Sequence, residues 1–324
     1  MSQTQDIPLI GTAMVDALIG AFGRHPHKRA SHAKGIFATG RFIASATAAQ
    51  FGQSRLFAGQ HSATVRFSIA GGNPAVSDKA NAARGMSIDV NLGNGEHLVL
   101  VMISAPMFFA ATPQAFISFL AARRIDPATG KPDPDAVALS NKTHTDSEAQ
   151  RRWLAATPPS VSFATAPYFA VHTYFFDNPD GTKHSARWIF EPLAGRVGLD
   201  ADELKSFPDN FLNDELARRL SRGPVEWRVL LQLPHPIDPL HNPTTAWPES
   251  RKTIEVGRFV VEDILPSVDG DALDETVFDP ERLPAGITAA GDPIFDSRSA
   301  AYSMSLAHRL VCPLSENGGV DSAG

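Results

Sequence analysis

In MSQTQDIPLIGTAMVDALIGAFGRHPHKR, at the N-terminus, Ile10, Met14, Leu18 and Phe22 recur every four positions, the spacing of one apolar face of an α-helix. From about Gly40 the period changes to two. RFIASATA, ATVRFSIAGG and RGMSIDVNLGNGEHLVLVMIS alternate apolar and polar positions as half-buried strands do, and Asn94-Gly95 supplies a hairpin turn. TPQAFISFLAARR (112–124) returns to helical spacing, with Thr112 placed to cap the helix ahead of Pro113. Residues 125–160 are rich in Pro and Asp and then polar, which predicts a long excursion and not a domain boundary. Strands are expected again in APYFAVHTYFFDN and HSARWIFEPLAG, joined by the turn NPDGTK. DADELKSF and NDELARRLSR read as short helices, VEWRVLLQL as a strand, and AWPESRKTIEVGRFVVED as a loop and a strand. Loop then leads to a last helix in DSRSAAYSMSLAHRL (296–310).

Strands adjacent in sequence are joined by short turns, with helices inserted in blocks. That order predicts an α+β fold built on an antiparallel β-barrel of roughly eight strands, with helical insertions and flanking helices. No Gly-rich loop opens a helix after a strand, so no dinucleotide fingerprint is present. Residues 1–23 are expected to be a helical segment packed on the core, 24–312 a single barrel domain, and 313–324 a flexible tail.

Bulk composition narrows the choice. Of 324 residues, 43% are hydrophobic and 20% charged, values of a globular chain that buries a real core. Twenty-nine basic against 35 acidic residues leave a net charge of −6 and no basic excess for phosphates, which argues against a nucleic-acid partner. A single cysteine, Cys312, excludes an internal disulfide framework. No window reaches the roughly 20 apolar residues of a membrane span. No basic region precedes the first apolar stretch, so a cytoplasmic location is expected ahead of a periplasmic one.

Three short stretches carry chemistry. RASHAKG (29–35) places His32 between small residues just before a strand. TVRFSIAGG (64–72) puts Arg66 and Ser68 on one face of a strand, because side chains two apart point the same way. RSAAY (298–302) puts Arg298 and Tyr302 at i and i+4, where the guanidinium would stabilise a phenolate, one of the known axial ligands of haem iron. Taken singly these are a surface histidine, a solvent-facing pair and a chance pattern.

Taken in order, with FDPERLPAGI (278–287), AWPES, IEVGRFVV and VEWRVLLQL, they resemble the haem catalase superfamily from about residue 24 to 310. The resemblance implies haem, as haem b with ferric iron. It gives His32 the distal catalytic role and makes Ser68 the hydroxyl that fixes the imidazole tautomer. Arg29, Arg66 and Arg309 would hold the haem propionates, a match of charge and shape. Phe116 would stack on the macrocycle, Phe108 would line the distal pocket, and Tyr302 would be the axial iron ligand with Arg298 as its charge partner. His308 receives no catalytic role.

The compact length is similar to the catalase-related peroxidases, or minicatalases, and implies a monomer or small homo-oligomer. Three pocket positions depart from the full-length pattern. The distal asparagine lands on Ile103, with Ser104 the nearest polar side chain; the channel valine lands on Ala70; the channel aspartate lands on Ala82, close to Asp78 and Asn81. Loss of an oriented amide and of two channel constrictions implies weak catalase activity, with peroxidase activity toward larger donors. The expected partners are hydrogen peroxide or an organic hydroperoxide, and a small organic reductant. The alternatives are an enzyme converting fatty-acid hydroperoxides, to which Ser31 beside His32 is a hint, a true catalase, and a non-catalytic haem-binding protein.

Overall fold

The structure, a computed structural model, describes residues 7–178, 180–266 and 275–310; Cys312 and the tail 313–324 lie outside the described residues. Its strands are β1 (Gly35–Ala44), β2 (Gln60–Ile69), β3 (Arg84–Gly93), β4 (Glu96–Ile103), β5 (Ile125–Asp126), β6 (Lys131–Pro132), β7 (Tyr168–Phe169), β8 (Tyr174–Asp177), β9 (Lys183–Pro192), β10 (Val225–Gln232), β11 (Thr253–Ile264) and β12 (Ile287–Ala289). The helices are α1 (Ile7–Phe22), α2 (Pro113–Ala121), α3 (Pro134–Thr143), α4 (Glu148–Ala156), α5 (Ala201–Ser206), α6 (Phe211–Leu220) and α7 (Arg298–Leu310). No described helix is long and apolar enough to cross a membrane.

The sheet runs β10-β11-β1-β2-β3-β4-β7-β9, and β10 pairs with β9 to close an eight-stranded antiparallel barrel; β8 and β12 extend it to one side. Local chemistry supports each turn of this path. Asn94 and Gly95 both take positive φ, 54° and 79°, which lets the β3–β4 hairpin turn tightly. Thr112 accepts a hydrogen bond from the Ala115 N–H and starts α2, and Asp200 with Glu203 forms a capping box on α5.

Strand alternation sorts the barrel into an inner and an outer surface. Phe67, Met86, Met102, Tyr168, Trp227 and Phe190 are at most 1% exposed and fill the interior. The indole N–H of Trp227 donates to the Ala166 carbonyl and the Tyr168 hydroxyl to that of Phe163, so neither polar tip is stranded. A second apolar cluster of Met14, Ala21, Phe116, Leu120 and Ile294 joins α1 and α2. α1 also lies hard against α7: a Cβ on Gly11 would come within 2.7 Å of Ala300.

Three stretches depart from the sequence reading, one of them the short strand β12 within a segment expected to be loop. Residues 125–160 contain the β5–β6 hairpin and the helices α3 and α4. APYFAVHTYFFDN is two short strands, β7 and β8, separated by Ala170–Thr173. That interruption carries a histidine off the barrel surface.

Candidate active site

One lateral row of residues builds the wall beside His32. Gly35 pairs with Ser68, Ser68 with Gly85, and Gly85 with Ile103, across β1, β2, β3 and β4. Residues opposite each other in a sheet point to the same face, here the outer one. The Ser68 hydroxyl lies 2.9 Å from His32 Nδ1. A Cβ on Gly85 would stand 2.7 Å from that nitrogen and would also strike Ser68 Oγ. The imidazole therefore lies over a glycine that has no side chain to displace it, with Ser68 on one flank and Ile103 on the other. The Ser104 hydroxyl beside it accepts the backbone N–H of Arg84 at 2.9 Å.

His32 itself has φ of 54°, a left-handed conformation unusual for a residue with a side chain. Arg66 Nη1 donates to the His32 carbonyl at 2.9 Å and Nη2 to that of Ala33 at 3.4 Å, while the Ala33 N–H donates to Gly71. A Cβ at Gly35 would lie 2.7 Å from the Arg66 guanidinium, so this second glycine makes room for that grip. Burial pulls the His32 pKa down to about 3, and the charges of Arg66 and Arg298 push the same way. Arg298 belongs to the last described helix, so residues far apart in sequence share this environment.

On the opposite wall, the first turns of α7 present Arg298 and Tyr302 on one helical face. Arg298 Nη2 donates to the Tyr302 hydroxyl at 2.8 Å, and its Nη1 to His172 Nε2 at 2.9 Å. His172 Nδ1 in turn donates to Asp292 Oδ2 at 2.6 Å, and both side chains are 2% exposed. For Nε2 to accept, the ring must be neutral with its proton on Nδ1. That agrees with a pKa lowered by burial against the raising effect of Asp292. Burial pulls Arg298 down, but Tyr302, Tyr174 and Asp292 outweigh it and raise its pKa. His172 and Asp292 escaped the sequence reading. The only trace of His172 was a lone polar ring inside an apolar strand pattern.

The remaining residues named by the sequence gather around these walls. Both terminal nitrogens of Arg29 donate to the Thr276 carbonyl at 3.1 Å. The Arg29 and Arg66 guanidiniums lie 5.9 and 5.5 Å from the centre of the Phe37 ring. Arg309 is 5% exposed and donates to Ser305 Oγ, which also accepts the Ala30 N–H, so the segment beside His32 is tied to α7. The rings of Phe108 and Phe116 are nearly parallel, 14° apart with centres at 6.3 Å. Asp78 does not reach toward the site: it is 2% exposed, accepts the Leu212 N–H and pairs with Lys34 at 2.6 Å.

Comparison with known proteins fits this geometry. The sequence profile of the Catalase family matches residues 17–316. A catalase-related peroxidase of Synechococcus elongatus is 36% identical over 297 residues, covering 91% of this chain and 87% of that protein. One from Mycolicibacterium paratuberculosis is 32% identical, covering 90% and 92%. Among solved structures, catalase A from Saccharomyces cerevisiae superposes with a TM-score of 0.79 at 20% identity, over 91% of this chain and 68% of that one. The barrel and these matches together place the chain in the catalase family.

Proposed function

We propose that this chain is a haem peroxidase that uses hydrogen peroxide to oxidise small organic donors and evolves little oxygen. The observation that carries this reading is the asymmetry around His32: a hydroxyl at Ser68 on one flank and an aliphatic side chain at Ile103 on the other. A catalase must hold and oxidise a second peroxide, which calls for a second polar group beside the histidine. Ile103 offers none. The two relatives called catalase-related peroxidase support the same reading.

The residues present fit a haem. Tyr302 offers a phenol oxygen already held by a guanidinium, a hard anionic donor for iron. The near-parallel Phe108 and Phe116 rings suit a flat macrocycle, and Arg29, Arg66 and Arg309 match two propionates in charge. Haem b with ferric iron would supply the redox chemistry that splits the peroxide bond and draws electrons from the donor.

The side chains then have defined tasks. Ser68 accepts from His32 Nδ1–H and leaves the Nε2 lone pair as the base. Nε2 removes a proton from peroxide and returns it to the leaving oxygen, as general base and then general acid. A pKa of about 3 keeps the ring unprotonated at the start and lets it give the proton back readily. Arg298, fixed by His172 and Asp292, keeps its hydrogen bond on the Tyr302 oxygen. A pulse of hydrogen peroxide given to the haem-loaded protein with an organic donor should appear mainly as oxidised donor. An oxygen yield equal to that of a full-length catalase would overturn the reading.

A further inference from the structure

Just past His32 the chain is held at three points. The Ala33 N–H donates to the Gly71 carbonyl at 3.1 Å, and the Lys34 carbonyl accepts the Ile69 N–H at 3.1 Å. The Lys34 ammonium pairs with Asp78 Oδ1 at 2.6 Å. Gly71 and Asp78 belong to the loop 70–83, which leaves β2 just after Ser68 and enters β3 just before Gly85. The loop therefore springs from the two residues that seat the imidazole and reaches back to the segment that carries it. Asp78 is its fixed point. The residue is 2% exposed, its N–H donates to the Asp209 carbonyl at 2.8 Å, and its own carbonyl accepts Arg84 Nη2 at 2.6 Å. Its Oδ2 accepts the Leu212 N–H at 2.7 Å, in the first turn of α6, where unpaired N–H groups and the helix dipole favour a carboxylate. Leu212 and Leu216 are packed into the barrel core, so that anchor does not move freely. Lys34 also donates to the Val76 carbonyl at 2.8 Å and to Asn210 Oδ1 at 2.7 Å, closing the junction.

We infer that Asp78 is a positioning residue for His32, acting through Lys34. Arg66 grips the left-handed turn at His32 itself, and the Lys34–Asp78 pair fixes the chain that leaves it. The inference rests on the peroxidase reading, in which His32 Nε2 is the base. Asp78 is held by backbone groups of three other segments, so Lys34 must follow it and not the reverse. Removing the carboxylate charge leaves a largely buried ammonium, 16% exposed, without its counter-charge, and drives it toward water. Residues 33 and 34 then lose one of their three holds, and the imidazole loses definition between Ser68 and Gly85. Neither Lys34 nor Asp78 touches the ring, so the effect is one of aim.

The test follows two small ligands of the haem-loaded protein by stopped-flow absorbance, without turnover. Hydrogen cyanide hands its proton to His32 Nε2 as it binds the ferric form, whereas carbon monoxide binds the reduced form with no proton to place. Asp78→Asn keeps an oxygen for the Leu212 N–H and loses the charge. Misplacing a catalytic group by about 1 Å costs up to about a hundredfold, so this variant should slow cyanide association about tenfold and leave carbon monoxide within about twofold. Lys34→Met should do the same, and the double variant should be no slower than either single one, since both changes remove one interaction. Asp209→Ala frees Ser77 and Lys79 at the exposed end of the loop but spares the pair, and should bind both ligands as the wild type does. Should Asp78→Asn fail to fold, Lys34→Met decides. Cyanide association unchanged in the Lys34 and Asp78 variants, or slowed equally in Asp209→Ala, or a matching change for carbon monoxide, overturns the inference. If His32→Ala slows cyanide in the same experiment, the base assignment survives that failure. If His32→Ala binds cyanide as fast as the wild type, the base assignment fails and the inference with it.

Discussion

Arg66 Nη1 donates to the carbonyl of His32 at 2.9 Å, and that carbonyl belongs to a residue at φ of 54°. A left-handed backbone at a non-glycine residue costs on the order of 1–3 kcal/mol unless its surroundings hold it. The arginine therefore holds the His32 backbone in place as well as contributing charge. Arg66→Lys keeps the charge but not the two-nitrogen grip. The haem-bound fraction of that variant should react with peroxide at least about tenfold more slowly by stopped-flow absorbance, since small misplacements of a catalytic group are costly.

Gly85→Ala tests the floor beneath the imidazole. The added methyl would meet His32 Nδ1 at 2.7 Å as well as Ser68, and two strands flank it, so the ring must shift. Peroxide reactivity should fall steeply while the Soret band of bound haem persists. Unchanged kinetics would show that the ring does not sit where the structure places it.

His32→Ala removes the base itself. The peroxide step should slow by about 10²- to 10⁴-fold, the usual worth of general acid–base catalysis. Equal rates in variant and wild type would favour a non-catalytic haem-binding protein.

The proximal chain predicts a stability effect. In Asp292→Ala the Nδ1–H of His172, 2% exposed, loses its acceptor. Leaving a buried donor unpaired costs about 1–3 kcal/mol, readable as a lower urea midpoint in the haem-free and haem-loaded protein alike.

Acid should weaken the fold through the same histidines. His32 is held to about 3, and His172 is also lowered by burial, whereas a free imidazole titrates near 6.5. Below about pH 6.5 the unfolded chain takes up protons that the folded chain refuses, so stability is full above that value and falls toward pH 3. The urea midpoint should drop between pH 8 and pH 5, and drop less in His32→Gln. Peroxide reactivity should show no step near pH 6.5.

Much of this was legible because it rested on period and spacing. Alternation in TVRFSIAGG put Arg66 and Ser68 on one face, and the i,i+4 pair in RSAAY put Arg298 beside Tyr302; both appear as hydrogen-bonded groups. α4 left a weaker trace, since none of its residues is buried and its apolar side is only Ala149, Trp153 and Leu154. His172 and Asp292 were invisible for another reason. Their meaning is a contact across 120 residues of sequence, and His172 reaches it only because the strand pattern breaks at Ala170–Thr173. The commitment of Ser104 to Arg84 is likewise a fact of register, which a one-residue shift would have reversed.

The most direct test of the central claim is sequential-mixing stopped-flow absorbance on the haem-loaded protein. Peroxide is added first, and an organic donor or a second portion of hydrogen peroxide follows. Return of the resting spectrum in two donor-dependent steps, with slow return on hydrogen peroxide alone, is the result predicted. Rapid return on hydrogen peroxide with stoichiometric oxygen release would contradict it.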